Sequence, residues 1–352
     1  FTLQTAGNSA ASVWHPMDNA VSEIITKAGT DQAAADPVQN LGPDLADFRD
    51  EVWLGLGQAQ KTLPSKFFYD ELGSKLFDEI TQLDQYYPTR TETKLLGTHA
   101  GAIASFMGTG ATLVEFGAGS LIKIRILLEA MDRPQAFVPI DISKEHLILS
   151  ADQLALEFPH IQVRPVVADF ASALDFGALV ADSNSKRIGF FPGSTIGNFA
   201  HDAAVTLLAT IGEVVGSGGE LLIGVDLKKD NKILLDAYND SQGVTADFNR
   251  NLLVRINREL GGNFDLGTFR HHAPYNADEG RIEMHLVSGA DQTVNVAGKD
   301  FVFTEGETIH TENSYKYGID EFLALASEAG FDPVQTWTDQ DDLFSIHYLR
   351  AR

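Results

Sequence analysis

Thr112-Leu-Val-Glu-Phe-Gly-Ala-Gly-Ser120 is followed directly by Leu121-Ile-Lys-Ile-Arg-Ile-Leu-Leu-Glu-Ala130. The first segment is a short apolar run that ends in a Gly-x-Gly turn, and the second places apolar residues at helical spacing. Together they predict a strand, a turn and a helix. Gly117 and Gly119 allow the backbone to turn sharply and to approach a ligand without interference from a Cβ atom.

This turn leaves two interpretations open. A dinucleotide-binding turn carries a third glycine in the pattern G-x-G-x-x-G, but here Ile122 occupies that position. Glu115 gives the pattern E-x-G-x-G, which is typical of sites for S-adenosylmethionine. The alternative is a tight turn of any doubly wound sheet. On this stretch alone the two interpretations have equal support.

The composition limits the classes of protein and of partner. The chain has 352 residues, enough for one large domain or two smaller ones. With 26 basic and 49 acidic residues, its formal net charge is −23. The negative electrostatic field of such a chain repels the phosphate backbone of nucleic acids, so we expect no nucleic-acid partner. The lack of cysteine excludes disulfides and thiolate ligands. No apolar run is long enough to span a bilayer, so we expect no membrane partner. We also expect a monomer and a cytoplasmic location, with which the lack of cysteine is compatible.

The composition of the first 35 residues predicts a poorly ordered or loosely docked N-terminus. They are rich in small and polar residues, although Val21, Ile24 and Ile25 are spaced for a short amphipathic helix. The chain begins at Phe1 without the basic and apolar regions of a signal peptide. We therefore expect a processed or truncated end.

A helix start is predicted in Tyr86-Tyr-Pro-Thr-Arg-Thr-Glu92. Pro88 favours an extended residue before it, and Thr89 can cap the helix that follows, with Glu92 in the capping-box position. Tyr69 and Tyr86 both stand beside predicted helix starts ahead of the glycine turn. By default such tyrosines are core or surface aromatics.

Strand and helix patterns alternate after the glycine turn. The predicted strands are 136–141, 163–170, 187–198 with its long turn, and 220–226, and the predicted helices between them are 144–156 and 203–215. Strands separated by helices imply a mostly parallel, doubly wound sheet. Such sheets bind ligands outside the carboxyl ends of their strands, where Gly117, Asp141, Asp169 and Asn198 all fall.

Beyond Asp226 this alternation stops for about ninety residues, which predicts an inserted α+β subdomain large enough to cover a substrate. Its predicted helices are 232–238 and 246–260, and its predicted strands are 281–287, 292–296, 301–303 and 308–310. A helix at 320–329 and strands at 331–337 and 343–349 are then predicted to close the sheet with an antiparallel edge.

The residues at the strand ends suit an adenosine. Asp141 can accept hydrogen bonds from both ribose hydroxyls, although a cap for the following helix explains it almost equally well. Asp169 suits the exocyclic amine of adenine, and Phe170 suits the ring. Lys123 lies one turn beyond the loop, within reach of a cofactor carboxylate.

Two kinds of chemistry are not expected. The ten histidines include no H-x-x-x-H pair and no acidic cluster at ligand spacing, and His271-His272 is predicted to lie in a solvated loop. We therefore expect no metal site. Ser194 does not stand in a G-x-S-x-G pattern, which excludes a hydrolase nucleophile elbow.

Six longer motifs occur between about residue 45 and the C-terminus. They are Leu63-Pro-Ser-Lys-Phe-Phe-Tyr-Asp70, Tyr86-Tyr-Pro-Thr-Arg90, Phe191-Pro-Gly-Ser-Thr-Ile-Gly-Asn198, Gly243-Val-Thr-Ala-Asp-Phe-Asn-Arg250, Arg281-Ile-Glu-Met284 and Thr311-Glu-Asn-Ser-Tyr-Lys316. Together they resemble the histidine Nα-methyltransferases of ergothioneine biosynthesis. The loop of that family is more often Leu-Gly-Ser-Gly with a following Thr-Arg, so Phe116, Ala118 and Ile124 depart mildly from it.

The resemblance implies a Rossmann-like class I methyltransferase fold and an S-adenosylmethionine-dependent trimethylation of the α-amino group of L-histidine. The cofactor-binding residues that it implies are Gly117, Lys123, Asp141, Asp169 and Phe170. The substrate-binding residues that it implies are Tyr69, Tyr86, Asn198, Tyr238, Met284, Glu312 and Ser314. In this assignment Asn198 and Tyr238 hold the substrate carboxylate, Tyr69 orients the reacting amine, and the last three recognise the imidazole.

The predicted organisation is a loose N-terminus (1–35), the N-terminal part of a substrate-binding domain (36–92), a methyltransferase domain (93–228 and 317–352) and an inserted substrate-binding subdomain (229–316). One alternative is the same fold acting on another amine such as tryptophan, against which Met284 and Glu312 argue. A nicotinamide-dependent oxidoreductase is disfavoured by the missing third glycine. A non-catalytic binding protein is disfavoured by the full set of substrate-side residues.

Overall fold

The computed structural model describes residues 35, 37–119, 121–172 and 185–352. The α-helices in this part of the chain are α1 (Leu45–Leu56), α2 (Glu71–Thr81), α3 (Tyr87–Met107), α4 (Leu121–Ala130), α5 (Lys144–Glu157), α6 (His201–Val215), α7 (Asn231–Tyr238), α8 (Val244–Leu260) and α9 (Ile319–Glu328). The strands are β1 (Gln39–Leu41), β2 (Lys61–Thr62), β3 (Thr112–Phe116), β4 (Ala136–Asp141), β5 (Gln162–Val163), β6 (Val166–Ala168), β7 (Arg187–Phe191), β8 (Glu220–Asp226), β9 (Phe269–His272), β10 (Tyr275–Asn276), β11 (Arg281–Ser288), β12 (Gln292–Val296), β13 (Lys299–Phe303), β14 (Thr308–Tyr315), β15 (Phe331–Thr338) and β16 (Phe344–Ala351). Apart from Ala35, the predicted loose N-terminus and its short helix lie outside the described residues.

The central sheet has the strand order β1-β6-β4-β3-β7-β8-β16-β15, and β5 pairs with β4 beside this path. The pairs from β1 to β8 are parallel, whereas β16 runs antiparallel to β8, and β15 runs antiparallel to β16. Parallel neighbours need crossover connections, which the intervening helices provide. The predicted Rossmann-like, mostly parallel sheet with an antiparallel closing edge is therefore confirmed.

Both faces of this sheet are buried. Leu113 of β3 belongs to a core shared with α3, α4 and α5, whereas its neighbour Val114 belongs to a second core shared with α6 and α9. Successive side chains of a strand point to opposite faces, so one short apolar strand supplies both cores. Full burial of each such side chain contributes roughly 1.5–3 kcal/mol.

A second sheet has the order β10-β11-β14-β2, with β9 paired to the other part of β11, and β12 and β13 form a separate hairpin. One hydrophobic core joins this sheet to α1, α7 and α8 and to the segment before α2. In that core Phe68 stacks on Phe248 of α8 with ring centroids 4.5 Å apart. The segment before the central sheet and the later segment after β8 thus pack together, and the proposed domain boundaries remain a prediction.

Several element boundaries differ from those predicted. The third strand is split into β5 and β6 at Arg164-Pro165, where proline lacks the N–H that a sheet ladder needs. The strand predicted at 308–310 continues to Tyr315, because it pairs with β11 as far as Arg281. The edge strand β1 lies parallel to β6 and was not predicted.

Two local predictions are wrong. Helix α3 begins at Tyr87, so Thr89 does not cap it and Glu92 is not part of a capping box. Pro88 fits inside the first turn because the N–H groups there have no partner within the helix. His271 and His272 belong to β9 rather than to a solvated loop, and the His271 ring contacts Asn249 Nδ2 and the backbone oxygen of Tyr238 at 2.9 Å each.

Candidate active site

A cavity of about 600 Å³ lies between the carboxyl ends of the parallel strands and the second sheet. Its lining includes all twelve residues predicted for the two ligands: Gly117, Lys123, Asp141, Asp169 and Phe170, and Tyr69, Tyr86, Asn198, Tyr238, Met284, Glu312 and Ser314. The strand-end placement of Gly117, Asp141, Asp169 and Asn198 is confirmed, since they follow or end β3, β4, β6 and β7.

The glycine loop leaves room for a ligand. Gly117 follows β3 with a φ of +79°, in the left-handed region that disfavours side chains. A Cβ atom at Gly117 would meet only Cε1 of Phe170, at 3.6 Å, and one at Gly119 would meet nothing within 4 Å. The loop therefore forms an open cradle beside an aromatic ring, which fits the adenosyl and methionine parts of S-adenosylmethionine.

Two carboxylates lie next to this cradle. Oδ1 of Asp141 accepts a hydrogen bond from the backbone N of Ser143 at 2.7 Å, and burial raises the pKa of the Asp141 carboxyl. Oδ2 of Asp169 lies 2.9 Å from Nζ of Lys66, and its Oδ1 accepts from the backbone N of Ala171 at 3.0 Å. The predicted role of Asp141 as a cap is wrong, because Ser143 is the N-cap residue of α5 and no side chain caps that helix. Asp141 instead combines a turn-forming bond with a position on the cavity wall, and its role toward the ribose stays a prediction.

Lys123 has a buried partner that the sequence did not reveal. Its Nζ donates to Oε2 of Glu92, and this carboxylate also accepts from the backbone N of Gly193 at 2.9 Å. Glu92 packs against Gly224, where an added Cβ would lie 2.1 Å from Glu92 Oε1. Burial raises the pKa of neighbouring Glu115 well above its usual range. Glu92 therefore holds the lysine at the cavity wall.

Three tyrosines line the substrate side of the cavity. Tyr69 directly precedes Asp70, the N-cap of α2, and Tyr86 is the N-cap residue of α3. Their rings pack on Phe77 at centroid distances of 5.6 and 6.2 Å, and Tyr86 contacts the ring of Tyr238 at 6.4 Å. Burial, together with the nearby Glu312 carboxylate, raises the pKa of Tyr69 well above its usual range. Burial does the same to the pKa of Tyr86, so both phenols stay protonated.

The imidazole-recognition residues predicted from the sequence face one another across two strands. Met284 of β11 is opposite Glu312 of β14, and Ile282 is opposite Ser314. Burial raises the pKa of the Glu312 carboxyl to about 7, and Lys316 opposes this shift. No hydrogen bond or ion pair to the Glu312 carboxylate, or to the Asn198 side chain, occurs among the described residues. Both groups are therefore free to accept or donate to a ligand.

A buried charged network below the cavity was not predicted. Oδ1 of Asp226 lies 2.7 Å from the Tyr87 hydroxyl and 2.6 Å from Nζ of Lys229, while Oδ2 lies 2.7 Å from Nζ of Lys316. Burial opposes ionisation of Asp226, but the two lysines hold its pKa below the usual range. Burial lowers the pKa of Lys229 to about 8. With both lysines protonated the network carries one net positive charge, which favours an anionic group in the cavity.

Lys316 connects this network to the cavity wall. Its Nζ donates to Ser314 Oγ at 2.7 Å and to Tyr238 Oη at 3.2 Å, and these two hydroxyls are themselves 2.7 Å apart. A signal for Lys316 was present in the sequence. Glu312, Ser314 and Lys316 are two residues apart, so a strand prediction extended beyond residue 310 would have placed all three on one face.

The geometry defines a Rossmann-like enzyme with two adjoining half-sites. One half carries the loop, strand-end carboxylates and aromatic ring that suit an adenosine-containing cofactor, and the other carries hydroxyls, a carboxylate and positive charge that suit an amino acid. None of the helices that the structure describes combines the length and apolar character needed to cross a membrane.

Comparisons with known proteins identify the family. The model of the S-adenosylmethionine-dependent, histidine-specific methyltransferases matches residues 48–351. A histidine N-alpha-methyltransferase of Mycolicibacterium smegmatis is 42% identical over 303 residues, which cover 85% of this chain and 93% of that protein. One of Mycobacterium tuberculosis is 38% identical over 314 residues, or 87% of this chain and 96% of that protein. Ergothioneine biosynthesis protein 1 of Neurospora crassa is 31% identical over 293 residues, or 82% of this chain and 33% of that longer protein.

The chain belongs to the family of S-adenosylmethionine-dependent, histidine-specific methyltransferases. It is a methyltransferase, and its cofactor is S-adenosylmethionine. The predicted family, fold class, enzyme class and cofactor are thereby confirmed, whereas the role of each site residue stays a prediction.

Proposed function

We propose that this methyltransferase transfers methyl groups from S-adenosylmethionine to the α-amino nitrogen of L-histidine until that nitrogen is quaternary. The product is then Nα,Nα,Nα-trimethylhistidine, hercynine, and the step is the first of ergothioneine biosynthesis. The observation that carries this proposal is that Glu312 and Ser314 line the same cavity as Gly117 and Asp141. One cavity thus joins groups that match an imidazole to groups that match the cofactor.

In this proposal five residues hold the cofactor: Gly117, Lys123, Asp141, Asp169 and Phe170. When bound, S-adenosylmethionine supplies a methyl group on a positively charged sulfur. Asp141 accepts hydrogen bonds from the ribose hydroxyls, and Phe170 packs against the adenine beside Asp169. Lys123 donates to the cofactor carboxylate while another N–H of its ammonium stays bonded to Glu92.

The substrate carboxylate binds at Asn198 and Tyr238. The Asn198 amide has no other hydrogen-bonding partner among the described residues, and Tyr238 is backed by the ammonium of Lys316 at 3.2 Å. A buried positive charge stabilises a carboxylate more strongly than it would in water, because the local dielectric constant is lower. On the other side of the substrate, Glu312 accepts from an imidazole N–H, Ser314 bonds the ring and Met284 packs against it.

The amine must lose a proton before it can attack a methyl group. Because burial raises the pKa of Tyr69 and of Tyr86, these phenols keep their protons and serve as orienting groups rather than as general bases. Tyr69 therefore fixes the direction of the nitrogen lone pair. Since no nucleophilic side chain is needed, the rate rests chiefly on the alignment of nitrogen, methyl carbon and sulfur.

Calorimetric titration with S-adenosylhomocysteine and with NADH, each with and without histidine, tests the proposal. We expect binding of S-adenosylhomocysteine and of histidine but not of NADH, and mass spectrometry of the turnover mixture should show mono-, di- and trimethylated histidine. Methylation of tryptophan in preference to histidine would instead support the alternative substrate. A cytoplasmic location, a monomeric state and the lack of a nucleic-acid partner belong to the same proposal, and light scattering tests the monomeric state.

A further inference from the structure

Three metal-binding side chains meet on the second sheet, and none of them belongs to the residues assigned to the two ligands above. Glu283 and His285 lie on β11 and His310 lies on β14, and each offers a ligand atom within 4.8 Å of the others. The antiparallel register pairs His285 with His310, and their rings stack with centroids 4.6 Å apart. The expectation of no metal site rested on spacing along the sequence, which does not detect ligands that separate strands bring together.

The His310 ring is held in the state that a metal ligand needs. Its Nε2 lies 3.0 Å from the backbone oxygen of Glu312. A carbonyl oxygen only accepts, so Nε2 carries the proton and Nδ1 keeps a free lone pair. Histidines that bind metals typically donate their second ring N–H to a carbonyl or carboxylate in this way, which fixes the tautomer and the orientation of the ring.

The two oxygens of the Glu283 carboxylate have different hydrogen-bonding partners. Oε1 accepts from Nη2 and Nε of Arg281 at 2.7 and 2.8 Å and from Nδ2 of Asn276 at 3.0 Å. Oε2 instead accepts from Nε2 of His285 at 3.1 Å, because a carboxylate oxygen only accepts, so Nδ1 of His285 keeps its lone pair for a metal ion. Glu279 lies 3.7 Å from Arg281 and adds a second negative charge there. One oxygen is thus anchored by Arg281 and Asn276, while the other orients the His285 ring.

Unpaired buried atoms beside the three side chains agree with a metal ligand set. Nδ1 of His285 and Oδ1 of Asn313 are buried without a hydrogen-bonding partner, and Asn313 is opposite Glu283 in the register. Such unpaired atoms are costly unless an ion or a water molecule binds them.

We propose that Glu283, His285 and His310 bind one divalent transition-metal ion of the zinc, cobalt or nickel type. Two imidazoles and one carboxylate suit these ions, whereas calcium and magnesium prefer sites made of oxygen ligands. The bound ion links β11 to β14, the two strands that carry Met284 and Glu312. It therefore clamps the strand pair at the edge of the cavity, which His310 also lines, without taking part in methyl transfer.

The test uses the full chain without an added histidine tag, freed of metal by a chelator. Isothermal titration with Zn²⁺, with Co²⁺ and with Mg²⁺ measures binding, and thermal unfolding is followed with and without each ion. We expect about one Zn²⁺ per chain, a higher Tm with Zn²⁺ or Co²⁺, and no effect of Mg²⁺, because an ion that binds only the folded state stabilises it.

Matched variants separate this site from the other histidines. His285→Gln and His310→Gln should each weaken Zn²⁺ binding at least tenfold and abolish the rise in Tm. His201→Gln changes an exposed histidine paired with Glu328 on another part of the chain and should change neither quantity. If the two site variants do not fold, Glu283→Gln takes their place. The proposal is overturned if the wild-type chain binds no stoichiometric Zn²⁺, or if the site variants bind it as tightly as the wild type.

Discussion

The Nζ atom of Lys316 lies 2.7 Å from Oδ2 of Asp226, and both side chains are only 1% exposed. The remaining two N–H groups of this ammonium point to Ser314 and Tyr238, so all three of its donors are used. Two hydroxyls of the substrate half-site are thereby fixed by one buried charge. This relationship makes Lys316 a positioning residue for the substrate.

Replacement of Lys316 by Met should destabilise the fold and weaken histidine binding. Removal of one partner from a buried ion pair typically costs about 3–5 kcal/mol, because the other charge stays buried. Since Lys229 and Tyr87 still bond Asp226, we expect a loss near the lower end of that range. Urea unfolding measures the loss, and Lys228→Met, which changes a half-exposed lysine paired with Glu321, is the control. Equal losses of stability in the two variants would contradict the contribution of the buried ion pair, and an unchanged histidine KM in Lys316→Met would contradict the positioning role.

The pH dependence of histidine turnover should depend on Glu312. Its pKa is raised from 4.5 to about 7, so this carboxyl is neutral below pH 7 and ionised above it. Because the ionised carboxylate is a stronger acceptor for an imidazole N–H than the neutral carboxyl, kcat/KM for histidine should rise through pH 7. Glu312→Gln should lack this step but keep the rise at higher pH that comes from the free α-amino group. The same inflection in wild type and variant would assign it to another group.

Glu312 should make the free energy of unfolding fall as the pH rises, whereas it makes kcat/KM rise. Between pH 4.5 and 7 folded Glu312 keeps a proton that the unfolded chain has released. The contribution of this group to the free energy of unfolding therefore falls as the pH rises through that window. Urea unfolding at pH 5 and at pH 8 should show a smaller difference for Glu312→Gln than for the wild type.

Asp141→Asn separates binding of the ribose from the turn-forming bond to Ser143. Asparagine keeps an oxygen that can accept from the backbone N of Ser143 but removes the negative charge. We expect an unchanged Tm and a loss of S-adenosylhomocysteine affinity of about 1–3 kcal/mol, since the ribose hydroxyls lose a charged acceptor. Asp152→Asn, at an exposed position of α5, serves as the control. Full affinity in Asp141→Asn would leave the turn as its main role.

Binding of the substrate carboxylate should depend on Asn198 and Tyr238. Asn198→Ala and Tyr238→Phe should each raise the histidine KM, by a factor that corresponds to about 0.5–1.5 kcal/mol for a hydrogen bond between neutral groups and to more for a charged acceptor. S-adenosylhomocysteine affinity should stay unchanged. Tyr275→Phe, which removes a hydroxyl from β10, is the matched control. Histamine lacks the carboxylate and should be a poor substrate, so efficient turnover of histamine would remove both residues from this role.

The sequence predicted the parallel sheet and the strand-end residues because apolar strands, glycine turns and helical spacing are local signals. It did not reveal the partners of Lys123 and Lys316. Glu92 meets Lys123 only because α3 packs beside α4, and Asp226 meets Lys316 only because β14 returns to the end of β8. Such contacts join distant segments, and the two acids resemble surface carboxylates in the sequence.

The predicted ends of helices and strands were wrong where a local sequence rule competed with a tertiary contact. Thr89 and Glu92 fit a capping box, but α3 starts three residues earlier than that box requires, with Tyr86 as its N-cap residue, and Glu92 is buried. The strand predicted at 308–310 is polar beyond His310 and therefore resembled a loop. It stays extended because β11 pairs with it, so the length of a polar strand is set by its partner.

Substrate selectivity should rest on Glu312 and Met284, which face each other in the register of β14 and β11. Replacement of Glu312 by Ala removes a buried acceptor for the imidazole N–H and should cost histidine about 1.5–3 kcal/mol, as for a hydrogen bond to a charged group. Tryptophan should gain, because its indole no longer has to desolvate a carboxylate that it matches poorly. Met284→Val widens the same pocket, so the double variant should shift further than either single variant. The measurement is kcat/KM for both amino acids, with Glu305→Ala, an exposed carboxylate on the turn after β13, as the control. If the ratio of the two kcat/KM values does not move toward tryptophan, the imidazole is recognised by other residues of the cavity.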